Sequence, residues 1–155
     1  MKIFKRIKLT FDAGQYSSSI DKLPEYPGLY FVYRAYRTAD GKWHINSEEE
    51  VPVYIGKAED SVRSRMQEHK DDGSLDKWFE DYTNPGDRLY IRTCAISDYI
   101  ADAEAACIFH IQPSANVDNK QSYNGENIHI KCDGSPLFLS ERNKDFSVEK
   151  GSEKE

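Results

Sequence analysis

Alternating apolar and polar positions predict the strands of this chain. Within residues 28–33, Leu29, Phe31 and Tyr33 fall on one face of an extended strand, and the residues between them fall on the other. The remaining predicted strands cover residues 3–12, 51–56 and 87–96.

The Asp-Gly dipeptides at 40–41 and 133–134 are typical of tight turns between strands. The first predicts that residues 39–50 form an extended hairpin tip. The second predicts a closing hairpin within residues 122–148.

Helical periodicity begins after the strand at 51–56. Val62 and Met66 are four residues apart in the predicted helix 60–69, and Asp60 or Ser61 can cap its start. The other predicted helices are a short one at 74–82 and a longer one from a cap at Ser97 or Asp98 to Gln112.

This order of elements predicts an α+β fold, in which a small, mostly antiparallel central sheet is flanked by helices and a C-terminal β-hairpin extends it. The 155 residues fit a single domain. We expect an N-terminal strand within 1–26 and a disordered tail at 149–155.

Composition is typical of a globular protein, with 38% hydrophobic and 31% charged residues. The sequence contains no apolar run of the roughly 20 residues that span a bilayer and no secretory apolar stretch near its start, so we expect a cytoplasmic protein without a membrane segment. The three cysteines, Cys94, Cys107 and Cys132, are expected to be small buried side chains.

The net charge of −6 argues against a nucleic-acid partner, because phosphate binding depends largely on Lys and Arg. The charge is unevenly placed, however, and local potential steers a ligand more than the total does. A basic group consists of Lys57, Arg63, Arg65, His69 and Lys70.

Glu104 interrupts an apolar stripe. At 100° per residue, it falls among Ile100, Cys107, Ile108 and Ile111 on the predicted helix. A buried ionised carboxylate needs a cation, a metal ion or several hydrogen-bond donors. Either Glu104 has such a partner at a functional site, or it lies at the margin of the stripe and reaches water.

Arg65 and His69 are four residues apart, so their side chains share one helix face. A guanidinium binds phosphate oxygens and an imidazole transfers protons near neutral pH. The same pair is also compatible with an ordinary solvated helix face.

Tyr30 and Tyr54 lie on strands expected to be adjacent, and each has a glycine two positions away, Gly28 and Gly56. These glycines are expected to leave open space beside the tyrosines for a ligand. Packing alone is the other interpretation of the two rings.

Together these residues resemble the GIY-YIG nuclease superfamily. The resemblance covers residues 27 to about 117 and rests on the order and spacing of five pieces: Gly28-Leu29-Tyr30, Tyr54-Ile55-Gly56, Arg65-x-x-x-His69, Glu104 and Pro113-x-x-Asn116. The connection at 34–50 is longer than is usual in the family. One extra residue after Gly56 makes Arg63 an alternative to Arg65, and Arg65 is preferred because only it lies four residues before a histidine.

The resemblance implies a metal-dependent endonuclease that hydrolyses DNA, double-stranded or branched, with one divalent cation, Mg²⁺ or Mn²⁺. It implies Glu104 as the metal ligand, Tyr30 or His69 as the general base, and Arg65 as the group that neutralises phosphate charge. Tyr54 would orient water or phosphate, and Asn116 would fix the site geometry. Lys57 and Arg63 would assist substrate binding, and Gly28 and Gly56 would shape the site.

Two alternatives remain open at this stage. A domain of the same fold can bind DNA or protein without cutting it, and the motifs can be coincidental in another α+β protein. A homodimer or a protein partner would compensate for the acidic balance of the chain.

Overall fold

The computed structural model describes residues 1–46, 50–134 and 136–154. Within them, the chain forms three α-helices, eight strands and two short 3₁₀ helices. In chain order these are β1 (Lys5–Thr10), β2 (Gln15–Tyr16), a 3₁₀ helix (Ser17–Lys22), β3 (Gly28–Arg37), β4 (Trp43–Ile45), β5 (Tyr54–Ala58), α1 (Val62–Asp71), α2 (Ser74–Tyr82), β6 (Arg88–Ala95), α3 (Ile100–Ile111), β7 (Ile128–Asp133), a 3₁₀ helix (Glu141–Asn143) and β8 (Asp145–Val148).

Strand β3 organises the central five-stranded sheet. It pairs with β6 along one edge, and β6 pairs in turn with β2. Along its other edge, the first half of β3 pairs with β5 and the second half with β4. Every one of these pairings is antiparallel, so the prediction of an α+β fold with an antiparallel central sheet is confirmed.

The two faces of β3 enter separate hydrophobic clusters. Leu29, Phe31 and Tyr33 pack in the cluster that includes α3, whereas Tyr30 and Val32 pack in the cluster that includes α1 and α2. The alternation predicted for residues 28–33 is therefore confirmed, and it sandwiches the sheet between helices.

A second sheet, in the order β1-β7-β8, lies outside the central one. Strand β1 pairs with β7 in parallel, a contact between the two chain ends that the sequence pattern did not reveal. The C-terminal hairpin closes with β8 rather than with the apolar run at 137–139, whose residues lie outside any strand.

Residues 151–154, within the segment expected to be disordered, are hydrogen-bonded to the chain before β7. The Tyr123 amide donates to Ser152 at 2.9 Å, and the Lys154 amide donates to Gln121 at 2.8 Å. Glu155 and residues 47–49, part of the predicted hairpin tip, lie outside the described residues.

The helix starts follow the predictions in part. The Ser61 hydroxyl caps α1 by accepting a hydrogen bond from the Ser64 amide, as expected. The predicted cap of α3 at Ser97 or Asp98 is wrong, because Tyr99 takes a left-handed conformation (φ 57°) and its carbonyl accepts the first helical bond, from Ala103. Residues 96–99 thus connect β6 to the helix.

All three cysteines are free and buried, as expected. None of the helices in the described part of the chain is long and apolar enough to span a bilayer.

Replacement of Gly28 tests the close contact between β3 and β6. A Cβ atom at Gly28 would lie 2.0 Å from the Cys94 carbonyl oxygen, which is backbone and has little freedom to move. Gly28→Ala should therefore lower the free energy of unfolding by about 3 kcal/mol or more, measured by urea denaturation.

The control is Gly41→Ala, at a turn glycine with φ +82° and open space around it. It should cost only the left-handed backbone strain, about 1 to 2 kcal/mol. Equal losses in the two variants would contradict the proposed clash.

Candidate active site

The outer edge of β5 is covered by the chain that follows α3. The Ser114 and Ala115 amides donate to the carbonyls of Pro52 and Val53, at 3.1 and 2.7 Å. Next along the edge, the Asn116 side chain accepts from the Ile55 amide and donates to the Ile55 carbonyl, both at 2.9 Å. Asn116 thus replaces a neighbouring strand, a role that satisfies backbone groups which are costly to bury unpaired.

Glu104 lies beside Lys57, two residues beyond Ile55 on the same edge of β5. Burial raises the pKa of its carboxyl group, and the Lys57 ammonium and backbone N–H, with Arg65 behind them, partly offset that rise. Glu104 is half-buried on α3. The carboxylate therefore lies at the margin of the apolar stripe, half-buried in a cleft, with the positive charges of Lys57 and Arg65 close enough to act on its pKa.

Tyr30 and Tyr54 point to the same face of the sheet. Their ring centroids are 6.2 Å apart with an interplanar angle of 21°. Tyr30 is buried, with 1% of its surface exposed, whereas Tyr54 is half-buried. Burial raises the pKa of both phenols, and the Arg65 guanidinium opposes that rise in each.

The two glycines do not leave space for a ligand, and that expectation is wrong. Gly56 is the register partner of Tyr30, and a Cβ atom there would lie 2.3 Å from the phenol ring. The ring of Tyr30 fills that space, and the backbone of β6 fills the space beside Gly28. The glycines therefore allow the phenol to lie flat against β5 and allow β3 to approach β6 closely.

His69 is hydrogen-bonded to Tyr30. Its Nε2 atom lies 2.8 Å from the Tyr30 hydroxyl, and only 5% of the residue is exposed. Burial, assisted by Arg65, lowers the pKa of the imidazole. The ring is thus neutral at neutral pH and able to accept a proton. Its Nδ1 atom has no hydrogen-bond partner among the described residues, and the Asp72 carboxylate lies 3.9 Å away.

The structure distinguishes the two arginines. Arg65 lies close enough to Tyr30 for each to act on the pKa of the other, and it pairs with Glu68 at 2.7 Å. Arg63 instead donates to the Leu23 carbonyl at 2.6 Å and pairs with Glu25. Arg63 therefore anchors the chain that precedes β3, and Arg65 is the arginine that α1 brings to the phenols.

Tyr54, Glu104 and Asn116 line one open cleft of about 270 Å³. The sequence-predicted residues other than Arg63 thus form a continuous group, in which the Tyr30–His69 pair and Arg65 lie behind Tyr54 and Lys57 lies beside Glu104. Arg63 contacts Leu23 and Glu25 instead.

Two residues of this region were not foreseen. The indole of Trp78 on α2 stacks on Tyr54 with centroids 4.3 Å apart, and it also contacts His69 at 5.0 Å. Asp118 lines the cleft, and its charge raises the pKa of Glu104 and of Tyr54. The periodicity of α2 indicates that Trp78 is buried, but no sequence signal identifies Tyr54 as its partner.

Within residues 1–46, 50–134 and 136–154, no group of three or more His, Cys, Asp or Glu side chains could hold a metal ion. A Mg²⁺ ion that keeps most of its water needs only one or two carboxylates. Glu104 and Asp118, which line the same cleft, fit that requirement.

Neither a protein-family model, nor a curated protein, nor a solved structure matches the chain. The likeness to GIY-YIG nucleases therefore remains a prediction from a small set of side chains.

Loss of the Asn116 amide should destabilise the fold. Asn116→Ala leaves the amide and the carbonyl of the buried Ile55 without partners, at a cost of about 2 to 4 kcal/mol in the free energy of unfolding. Val117→Ala, at a neighbouring side chain that is 85% exposed, should change it by less than about 0.5 kcal/mol. A loss below about 1 kcal/mol in Asn116→Ala would show that the amide is dispensable.

Burial of His69 predicts a pH dependence of stability. Because the folded protein lowers the pKa of His69, the unfolded chain takes up the proton more readily as pH falls below about 6.5. The stability of the wild type relative to His69→Gln should be constant above that pH and decrease below it. The free energies of unfolding of both proteins are measured between about pH 8 and pH 5 and subtracted. The contributions of other titrating groups, such as His110, are the same in both proteins and cancel in this difference. A difference that is constant, or that grows on acidification, would contradict the buried neutral imidazole.

Proposed function

We propose that this protein is a metal-dependent endonuclease of the GIY-YIG type, which hydrolyses phosphodiester bonds in double-stranded or branched DNA. One observation carries the proposal: a half-buried carboxylate, Glu104, shares a cleft with the Tyr54 phenol, and a hydrogen-bonded Tyr30–His69 pair lies behind that phenol. Core packing alone does not require a carboxylate, two phenols, an imidazole and a guanidinium to meet at one strand edge.

Glu104, with Asp118 nearby, would hold one divalent cation, Mg²⁺ or Mn²⁺, which supplies Lewis-acid activation of the scissile phosphate when bound. The raised pKa of Glu104 favours such a partner, because a cation stabilises the ionised carboxylate that burial disfavours.

The Tyr30–His69 pair supplies the proton acceptor. A water molecule that attacks phosphorus gives its proton to the phenol oxygen as the phenol passes its own to Nε2 of His69, or gives it directly to the imidazole. The lowered pKa of His69 keeps the imidazole neutral at neutral pH, and in the tautomer that carries its proton on Nδ1, Nε2 is the acceptor. Arg65 favours the transient phenolate, because it lowers the pKa of Tyr30 against the effect of burial.

Charge on the phosphate would be met by Arg65 and Lys57. The Arg65 side chain is 42% exposed, and its pairing with Glu68 is a surface contact that a phosphate can displace. Tyr54, held by Trp78 and half-buried, would orient the phosphate or the attacking water within the cleft.

The alternative is a domain that binds DNA or protein on the same fold without cutting. The observation that favours it is the burial of Tyr30 and His69, which are 1% and 5% exposed and so pack as core side chains do. Cleavage assays separate the two functions.

Nicking of supercoiled plasmid and of branched DNA, with Mg²⁺ or Mn²⁺ and with EDTA, tests the proposal. The wild type should cut only with the cation, and Glu104→Gln should cut at least about 100-fold more slowly, since it loses the metal ligand but keeps its size. Glu141→Gln, the same chemical change at a side chain that is 92% exposed, should cut at the wild-type rate. If the folded wild type binds these DNAs but cuts none of them, the non-cleaving alternative is the correct one.

A further inference from the structure

The end of β3 away from Tyr30 carries a group of aromatic and arginine side chains on one face of the sheet. Arg37 is opposite Trp43, Arg88 is opposite Ala35, and Tyr16 is opposite Tyr90. By the alternation of the strands, all of these lie on the face that also bears Tyr33. We name this group the aromatic–arginine face, and it consists of Tyr16, Arg37, Trp43, Arg88 and Tyr90.

Its rings and cations form one continuous layer across four strands. The guanidinium carbons of Arg88 and Arg37 lie 4.3 and 5.0 Å from the centroid of the Trp43 ring. Arg88 also lies 5.3 Å from the ring of Tyr16, which is 6.0 Å from Trp43 and 5.2 Å from Tyr90. Two cations therefore share one indole.

The layer is open to a ligand. Arg37 and Arg88 are exposed, and Tyr16, Trp43 and Tyr90 are half-buried residues. Neither arginine belongs to an ion pair within the described part of the chain.

Two nearby carboxylates are engaged on the opposite face of the sheet. Asp87 and Glu50 pair with Arg34, at 2.8 and 3.4 Å. Arg34 is three positions from Arg37 on β3, so its side chain projects to the other side. The positive charge of Arg37 and Arg88 is therefore not cancelled by these two acids.

We propose that the aromatic–arginine face binds a single-stranded stretch of nucleic acid. Unpaired bases stack on aromatic rings and guanidinium planes irrespective of sequence, and free guanidiniums pair with phosphates. In a duplex the faces of the bases are covered by their neighbours, so a layer of tilted rings and guanidiniums, in which Tyr16 makes interplanar angles of 60° with Trp43 and 70° with Tyr90, is suited to unstacked bases. This function goes beyond phosphodiester cleavage and needs neither a metal ion nor the cleft.

The layer and the candidate active site are separate. Tyr30 and Arg37 are seven residues apart on one strand, or about 23 Å at the rise of a β-strand. Substitutions in one region therefore report on that region alone. If both functions hold, the preferred substrate is DNA with an unpaired segment, such as a branch or a flap.

Binding of a fluorescein-labelled oligothymidylate of about 20 nucleotides, followed by anisotropy in EDTA, tests the proposal without cleavage. Arg88→Gln and Trp43→Ala should each weaken the binding about tenfold or more. Two matched controls should stay within about twofold of the wild type: Arg6→Gln, at an exposed arginine of β1, and Tyr99→Ala, at an exposed tyrosine beyond the opposite end of β6.

The salt dependence separates the roles of charge and stacking. Arg88→Gln should reduce the slope of log Kd against log salt by about 0.7, the value for one phosphate contact on a single strand, whereas Trp43→Ala should keep the wild-type slope. Trp43→Phe keeps an aromatic ring, so it should retain most of the binding even if Trp43→Ala unfolds the hairpin.

Three results would overturn the proposal. The first is absence of oligothymidylate binding to the wild type at low salt, and the second is wild-type binding by both Arg88→Gln and Trp43→Ala. The third is tighter binding of the wild type to a duplex of matched length than to oligothymidylate, with the duplex binding weakened by the same two variants. That result would indicate a surface that binds duplexes instead. Because the binding is measured in EDTA and needs no cleavage, a failure of the nuclease proposal leaves this measurement intact.

Discussion

The outer edge of β5, which pairs with no other strand in the described part of the chain, is the constraint on which the rest of the site depends. An edge strand inside a protein needs partners for each of its outward amides and carbonyls. Here the chain after α3 supplies hydrogen-bond partners as far as Val53, and the Asn116 side chain supplies them for Ile55. Glu104 lies beside Lys57, two residues further along the edge. Closure of one strand edge thus brings a carboxylate from the third helix beside phenols from the sheet.

The same packing shifts the pKa values of Tyr30 and His69. Because Tyr30 and His69 are buried between β5 and α1, the pKa of the phenol is raised and that of the imidazole is lowered, so both groups are held neutral. Arg65 lowers the pKa of each by its positive charge, and thereby favours the phenolate and disfavours the imidazolium. A neutral acid and a neutral base in contact, with a cation beside them, have the arrangement that the proposed proton transfer requires.

Local patterns in the sequence predicted the parts of the structure that depend on local physics. The two faces of residues 28–33, the helix that Ser61 caps, the helix over 74–82 and the hairpin around the first Asp-Gly turn all follow from periodicity or turn chemistry. What the sequence did not reveal depends on contacts between distant residues. These are the parallel pairing of β1 with β7, the stacking of Trp78 on Tyr54 and the occupation of the Gly56 space by Tyr30. No spacing along the chain encodes such contacts, because they arise only when separate elements pack.

The sequence shows where the charged residues are, but only the structure shows which of them are paired. The basic group predicted around residues 57–70 is largely paired in the fold, with Lys57 on Glu59, Arg63 on Glu25 and Arg65 on Glu68. Such exposed pairs are weak and are screened by salt, so a phosphate can exchange with the carboxylates at little cost. Arg37 and Arg88 are held differently, over aromatic rings, and neither is paired with a carboxylate among the residues that the structure describes. A chain of net charge −6 can therefore still attract an anion. The local potential depends on whether each cation is paired, and not on the sum of all charges.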